Sequence, residues 1–180
     1  GTDFILYDYD KVDIVNIGVS QYNNNDIDKY KVDALDEHLK AINPNITVDK
    51  FNERFEHYSY RSGSDIAILG FDSMEARLEA VMIMCRANNA KPKFIIDGRM
   101  GAEHYQQYIF DNPTVIKYKK DWYSDEAGSV EPCNAKATSY CSNMSGSFIA
   151  NAVRKLITNQ PYNRKFSFNF PIMGLEKSRM

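Results

Sequence analysis

The chain has 180 residues, 43% of them hydrophobic and 26% charged, with 22 basic against 24 acidic side chains and a net charge of −2. Those values suit a globular domain with a real core, and they exclude a basic protein drawn to nucleic acid or to a membrane surface. No apolar run approaches the ~20 residues that a membrane span requires, and no signal peptide is read. Cys85, Cys133 and Cys141 give neither a disulfide framework nor a CxxC zinc pattern, so a reducing, cytoplasmic setting is expected.

Taken in chain order, residues 3–8 (DFILYD) read as a buried strand ending on Asp8 and Asp10, and a polar loop follows to about Asp28. Val32, Leu35, Leu39 and Ile42 recur at helical spacing, which predicts a helix over 29–42, stopped by Asn43-Pro44-Asn45. A short strand is expected near 46–50, and IAILG at 66–70 has the continuous apolar character of a central parallel strand. Asp72 or Ser73 can cap the next helix, which carries Met74, Leu78, Val81 and Cys85 on one face, and FIID at 94–97 is the next buried strand. Residues 102–110 and 114–119 read as a hairpin around Asn112-Pro113, and 120–135 as a polar loop. Met144, Phe148, Ala152, Val153 and Leu156 predict a helix over 141–158, and the alternation of KFSFNF (165–170) predicts a final strand. The expected fold is α/β: a Rossmann-like, mostly parallel sheet flanked by helices, with an antiparallel extension in the C-terminal half, in a single domain.

At the carboxyl end of a parallel strand, Asp8 and Asp10 face the crevice where open α/β sheets bind ligands, and either carboxylate can accept a ribose hydroxyl. The bland alternative is a solvated turn. Lys31, at the start of the first long helix, can reach phosphate oxygens as a point charge, or can be one more surface lysine. Asp72 follows a buried strand at the head of a helix, so it can cap that helix, carry Mg²⁺ with nucleotide phosphates, or both. Arg77 is one turn further on and either packs or reaches the cleft. His38, His57 and His104 show no ligand spacing and read as surface residues. Cys85 reads as core. Cys133 in EPCNAKAT, near Lys136, and Cys141 at a helix start have settings that favour a thiolate, against the commoner role of inert packing.

The order of these segments is more telling than any one of them. DYDKV…N, KV opening a helix, INP ending it, then GFDSMEAR and IIDGRMG, resembles the ThiF/MoeB/HesA superfamily, which includes the adenylating domains of ubiquitin-activating-type enzymes. The resemblance runs from about Phe4 to Met100 and continues more faintly through EPCNAKAT. It implies an ATP site with Asp8 on the ribose, Asn16 beside it, Lys31 on the phosphates and Asp72 on Mg²⁺ and phosphate. It also implies a reaction in which the C-terminal carboxylate of a ubiquitin-like or sulfur-carrier protein is joined to AMP, in an enzyme that is often a dimer. Cys133 is then the candidate for a thioester or persulfide step.

Two departures accompany the resemblance. The family's glycine-rich phosphate loop precedes the strand that carries the ribose acid, and no GxGxxG stands in this sequence. The family's arginine after the asparagine is replaced, in NIGVSQY, by Val19 or Ser20. The expectation is therefore a chain lacking its N-terminal strand, glycine loop and helix, with the exposed strand edge covered by another segment or a partner subunit. Two other functions compete with adenylyl transfer: a ThiF-fold scaffold that has lost activity, and a nicotinamide-dependent oxidoreductase using the same strand-end acid.

Overall fold

A computed structural model describes residues 3–56, 64–87, 91–127 and 138–177. These fall into two compact units, one within residues 1–56 and the other within 57–180.

In the first unit, strand β1 (Phe4–Tyr7) pairs in parallel with β2 (Val48–Phe51), Phe4 opposite Val48 and Tyr7 opposite Phe51. Parallel strands need a long connection. Here it holds a short helix α1 (Ile14–Ile17), a 3₁₀ turn at Asn24–Asp26 and helix α2 (Lys31–Ile42). Val32 and Ala34 are buried on α2, but its apolar stripe gives out in the last turn, where Ile42 is 84% exposed. Asp36 is buried instead, with Oδ1 2.8 Å from Lys40 Nζ and Oδ2 3.0 Å from Lys50 Nζ on β2. Lys50 also lies 2.8 Å from Asp33 Oδ1, so one lysine ties two turns of α2 to the neighbouring strand.

The second unit holds β3 (Ile66–Leu69), α3 (Met74–Arg86), β4 (Phe94–Met100), β5 (His104–Asp111), α4 (Val115–Lys119), α5 (Ser139–Ile157), β6 (Lys165–Asn169) and β7 (Gly174–Lys177). The five strands lie in sequential order; β3 and β4 are parallel and the remaining pairs antiparallel. The architecture is thus α/β with an antiparallel extension. Side chains of β4 alternate between two layers. Ile96 packs with Ile109 and Ala152 against α5, joined by Phe94, Ile149 and Val153. Asp97 and Arg99 turn to the opposite layer, where Arg77 of α3 and Tyr118 of α4 meet them.

Several expectations are corrected. Residues 115–119 are a helix rather than a hairpin strand, because Thr114 caps them, its Oγ1 accepting from Lys117 N at 3.1 Å. β5 pairs instead with β4 and β6. β6 is not the last strand, since a turn with Met173 at φ 48° returns the chain into β7. Among the described residues β3 is an edge strand, with Ile68 half exposed.

Candidate functional site

Residues 10–12 and 28–31 form a narrow antiparallel ribbon in the first unit. Val12 N donates to Lys29 O (2.9 Å), Asp28 N to Val12 O (3.0 Å) and Lys31 N to Asp10 O (2.9 Å), with Lys11 opposite Tyr30. The ribbon closes the base of loop 13–27 and sets the first residue of α2 beside the end of β1. Lys31 Nζ comes to 2.8 Å from Asp10 Oδ2, and Asp10 N donates to Asp8 Oδ1 at 2.8 Å. Three residues singled out in the sequence, Asp8, Asp10 and Lys31, are thus gathered in one place. Asn16 has a structural duty as well: its Oδ1 accepts from Asp13 N at 2.8 Å while Asp13 accepts from Val15 N at 3.3 Å, a capping box on α1.

The same loop carries a buried carboxylate that the sequence did not reveal. Asp26 is 2% exposed; its Oδ2 accepts from Asn23 N at 2.8 Å and stands 2.9 Å from His38 Nε2. The Asn23 N–H foremost, with His38 and Lys29 beside it, holds this carboxyl below its usual range despite burial. His38, expected on the surface, therefore anchors the loop to α2. Tyr22 completes the corner. Burial, then the negative charges of Asp8 and Asp26, push its phenol up to about 12. A sequence signal existed only for His38, which recurs one turn after Ala34 on α2, and nothing in NNND marks which acid is buried.

In the second unit Asp72 occupies the turn between β3 and α3. It is exposed, and it does not cap the helix: Ser73 does, its Oγ accepting from Ala76 N at 3.1 Å. Arg77 proves to be the buried fastening of this turn. Its Nη1 donates to Leu69 O (3.1 Å), Gly98 O (3.0 Å) and Asp97 Oδ1 (2.6 Å), and its Nη2 donates to Phe71 O. Asp97, fully buried, also accepts from Arg99 Nε at 2.9 Å, Arg99 Nη2 at 2.8 Å and Tyr118 OH at 2.9 Å. From the other side Trp122 Nε1 donates to Met74 O (2.8 Å), and the Asp125 carboxylate receives Met74 N (3.1 Å). A hydrogen bond with Asp125 keeps the Glu75 carboxyl above its usual range.

The described residues contain no group of three or more His, Cys, Asp or Glu side chains that could hold a metal ion. Asp72 is a single exposed carboxylate and belongs to no such group. Of the cysteines, Cys141 is fully buried in the first turn of α5, its Sγ 3.9 Å from Gly101 O, a packing position. Burial pushes the half-buried Cys85 thiol up. Cys133 lies outside the described residues. No helix among the described residues is long and apolar enough to cross a membrane.

Comparison with known proteins follows the same lines. The sequence pattern of the ThiF family matches residues 2–180. Over 99 residues the chain is 32% identical to ubiquitin-like modifier-activating enzyme 5 of Caenorhabditis briggsae, an alignment covering 47% of this chain and 23% of that enzyme. The structure is similar to that of PaaA (TM-score 0.70, 19% identity, 96% of this chain and 63% of that one). It is also similar to E. coli MccB with ATP (TM-score 0.72, 15% identity, 98% and 55%), and MccB has been solved with MccA as well. The chain thus spans about a quarter of the nematode relative and 55–63% of these solved structures.

Proposed function

The chain belongs to the ThiF family, and on that premise we propose that its activity is ATP-dependent adenylyl transfer to the C-terminal carboxylate of a ubiquitin-like or sulfur-carrier protein. The observation that carries this reading is the gathering of Asp8, Asp10 and Lys31 at the end of β1: carboxylates suited to ribose hydroxyls beside a cation suited to phosphate. In the reaction a carboxylate oxygen of the acceptor attacks the α-phosphorus of ATP. A mixed anhydride with AMP forms as the bond to pyrophosphate breaks. Such chemistry asks for positioning and charge stabilisation rather than covalent help from the protein.

Each residue has a role in that scheme. Asp8 accepts a ribose hydroxyl. Asn16, whose oxygen caps α1, keeps its amide nitrogen for the nucleotide. Lys31 neutralises phosphate charge. The exposed Asp72 carboxylate would hold Mg²⁺, which when bound neutralises further phosphate charge, and the Arg77 fastening keeps the backbone of that turn in place. Cys133 is the residue that would receive the activated acyl group, if transfer goes beyond the adenylate. A homodimer is the proposed assembly. The test is ATP–pyrophosphate exchange with Mg²⁺ by the full native chain, offered acceptors with Gly-Gly tails. Exchange abolished by Asp72→Ala supports the reading. A full-length protein that binds no ATP overturns it. A second reading, a ThiF-fold scaffold without catalysis, is favoured by Val19 and Ser20 at the family's arginine position. It expects partner binding unaffected by Asp72→Ala.

A further inference from the structure

The two strand-end acids are chemically alike, but their surroundings separate them. Asp8 uses Oδ1 to accept the N–H of Asp10 and is only partly exposed. Asp10 is half exposed, and its Oδ2 is 2.8 Å from Lys31 Nζ. The backbone repeats that pairing, Lys31 N donating to Asp10 O at 2.9 Å, so both ends of the lysine are tied to one residue. The Lys31 side chain is 21% exposed, a largely covered stem with its ammonium held at the strand end. An ammonium has three donors. Among the described residues one is taken by Asp10, which leaves two for an anion.

We infer that Asp10 is a positioning residue for Lys31 rather than a second ribose ligand. This deepens the reading of the site as a nucleotide site and rests on it. A free lysine loses about 2 kcal/mol of rotamer freedom when a phosphate fixes it. A lysine already fixed by the Asp10 carboxylate loses much less on binding. The pairing also draws the ammonium to the acidic end of β1, beside Asp8. The repulsion between Asp10 and the phosphates is weakened by solvent at a half-exposed carboxylate.

The alternatives differ in what they ask of adenosine and ATP. Asp10 as a second ribose ligand contributes to both molecules equally. Asp10 as a mere competitor for the lysine weakens ATP binding, so its removal tightens it. Asp10 as a positioning residue strengthens ATP and leaves adenosine alone.

The experiment is calorimetric titration of the full native chain with adenosine and with Mg·ATP at one ionic strength, for wild type, Asp8→Asn, Asp10→Asn, Asp10→Glu, Lys31→Ala and the Asp10→Asn/Lys31→Ala double variant. The backbone bond from Lys31 N to Asp10 O does not depend on the side chain, so these variants keep the ribbon. Asp8→Asn is expected to weaken both ligands. Asp10→Asn is expected to weaken ATP about fivefold and leave adenosine unchanged, with Asp10→Glu recovering most of that loss. The double variant is expected to bind ATP no worse than Lys31→Ala, because Asp10 acts only through the lysine. Equal weakening of both ligands by Asp10→Asn, tighter ATP, or no change at all would each overturn the inference while the nucleotide reading stands. A wild-type chain that binds neither ligand removes both.

Discussion

Arg77 and Asp97 are a buried ion pair, Nη1 2.6 Å from Oδ1, and each is shared with further partners. Arg77 also holds the carbonyls of Leu69, Phe71 and Gly98, while Asp97 holds Arg99 and Tyr118. Arg99 in turn lies over the rings of Tyr108 (4.1 Å) and Tyr123 (5.1 Å). Asp97→Asn would leave two buried guanidinium groups facing a neutral amide. Breaking such a pair from one side costs roughly 3–5 kcal/mol. Urea unfolding of the Asp97→Asn chain should show a loss of that size. A loss below 1 kcal/mol would mean that solvent reaches the pair.

Of the two candidate caps that the sequence offered, Asp72 and Ser73, the structure assigns the cap to Ser73 and leaves Asp72 for the proposed Mg²⁺ role. Ser73 caps α3 by accepting from Ala76 N, so Ser73→Ala should lower stability by about 1 kcal/mol, while the Asp125 bond to Met74 N is left in place. Asp72→Ala removes an exposed carboxylate that caps nothing, and stability should be unchanged. Its effect should fall on the Mg²⁺ dependence of pyrophosphate exchange. Thermal unfolding of the two variants beside the exchange assay separates the roles; a destabilised Asp72→Ala chain would return the residue to a structural one.

The legible parts of this fold were those written in one local pattern. Apolar runs such as IAIL and FIID, helical spacing in 31–42 and the Asn-Pro stop each need only their own neighbours. VIKYK at 115–119 carries β-branched and aromatic residues at strand-like density, yet the cap at Thr114 decides for a helix. β7 escaped notice because GLEK is too short and too polar to stand out, and it exists through pairing with β6. The strand-end acids and the helix-head lysine could be singled out in the sequence. Their contact, set by a ribbon that brings together residues 21 positions apart, could not. Asp26 was illegible too, because its partner His38 stands on α2 and only the folded loop brings the two together.

Tyr22 reports on Asp8. An unfolded tyrosine ionises near 10.0, whereas Tyr22 keeps its proton to about 12. Below pH 10 both states are protonated and this residue makes stability independent of pH. Between about 10 and 12 the unfolded chain ionises first, so stability falls as pH rises. Tyr22→Phe should flatten that part of the alkaline unfolding profile. Asp8→Asn removes one of the charges that hold the proton and should lower the Tyr22 midpoint, followed by NMR of the ring. An unmoved midpoint would mean that burial and Asp26 set it without Asp8.

Gly98, in the IIDGRMG segment, is required by what faces it. A methyl group there would lie 2.9 Å from Tyr105 OH, 3.2 Å from Ile149 Cδ1 and 3.3 Å from Tyr105 Cε2. Tyr105 cannot swing clear: it is 1% exposed, its ring stacks on Phe148 at 5.7 Å, and its OH donates to Gln107 Oε1 at 3.0 Å. Overpacking of this kind costs about 1–3 kcal/mol. Gly98→Ala should therefore unfold at lower urea, and Tyr105→Phe should recover part of the loss by removing the nearest atom. The two substitutions touch, so their effects should not add. If the double variant is as unstable as the sum of the singles, the clash lies with Ile149 and the α5 layer rather than with the phenol.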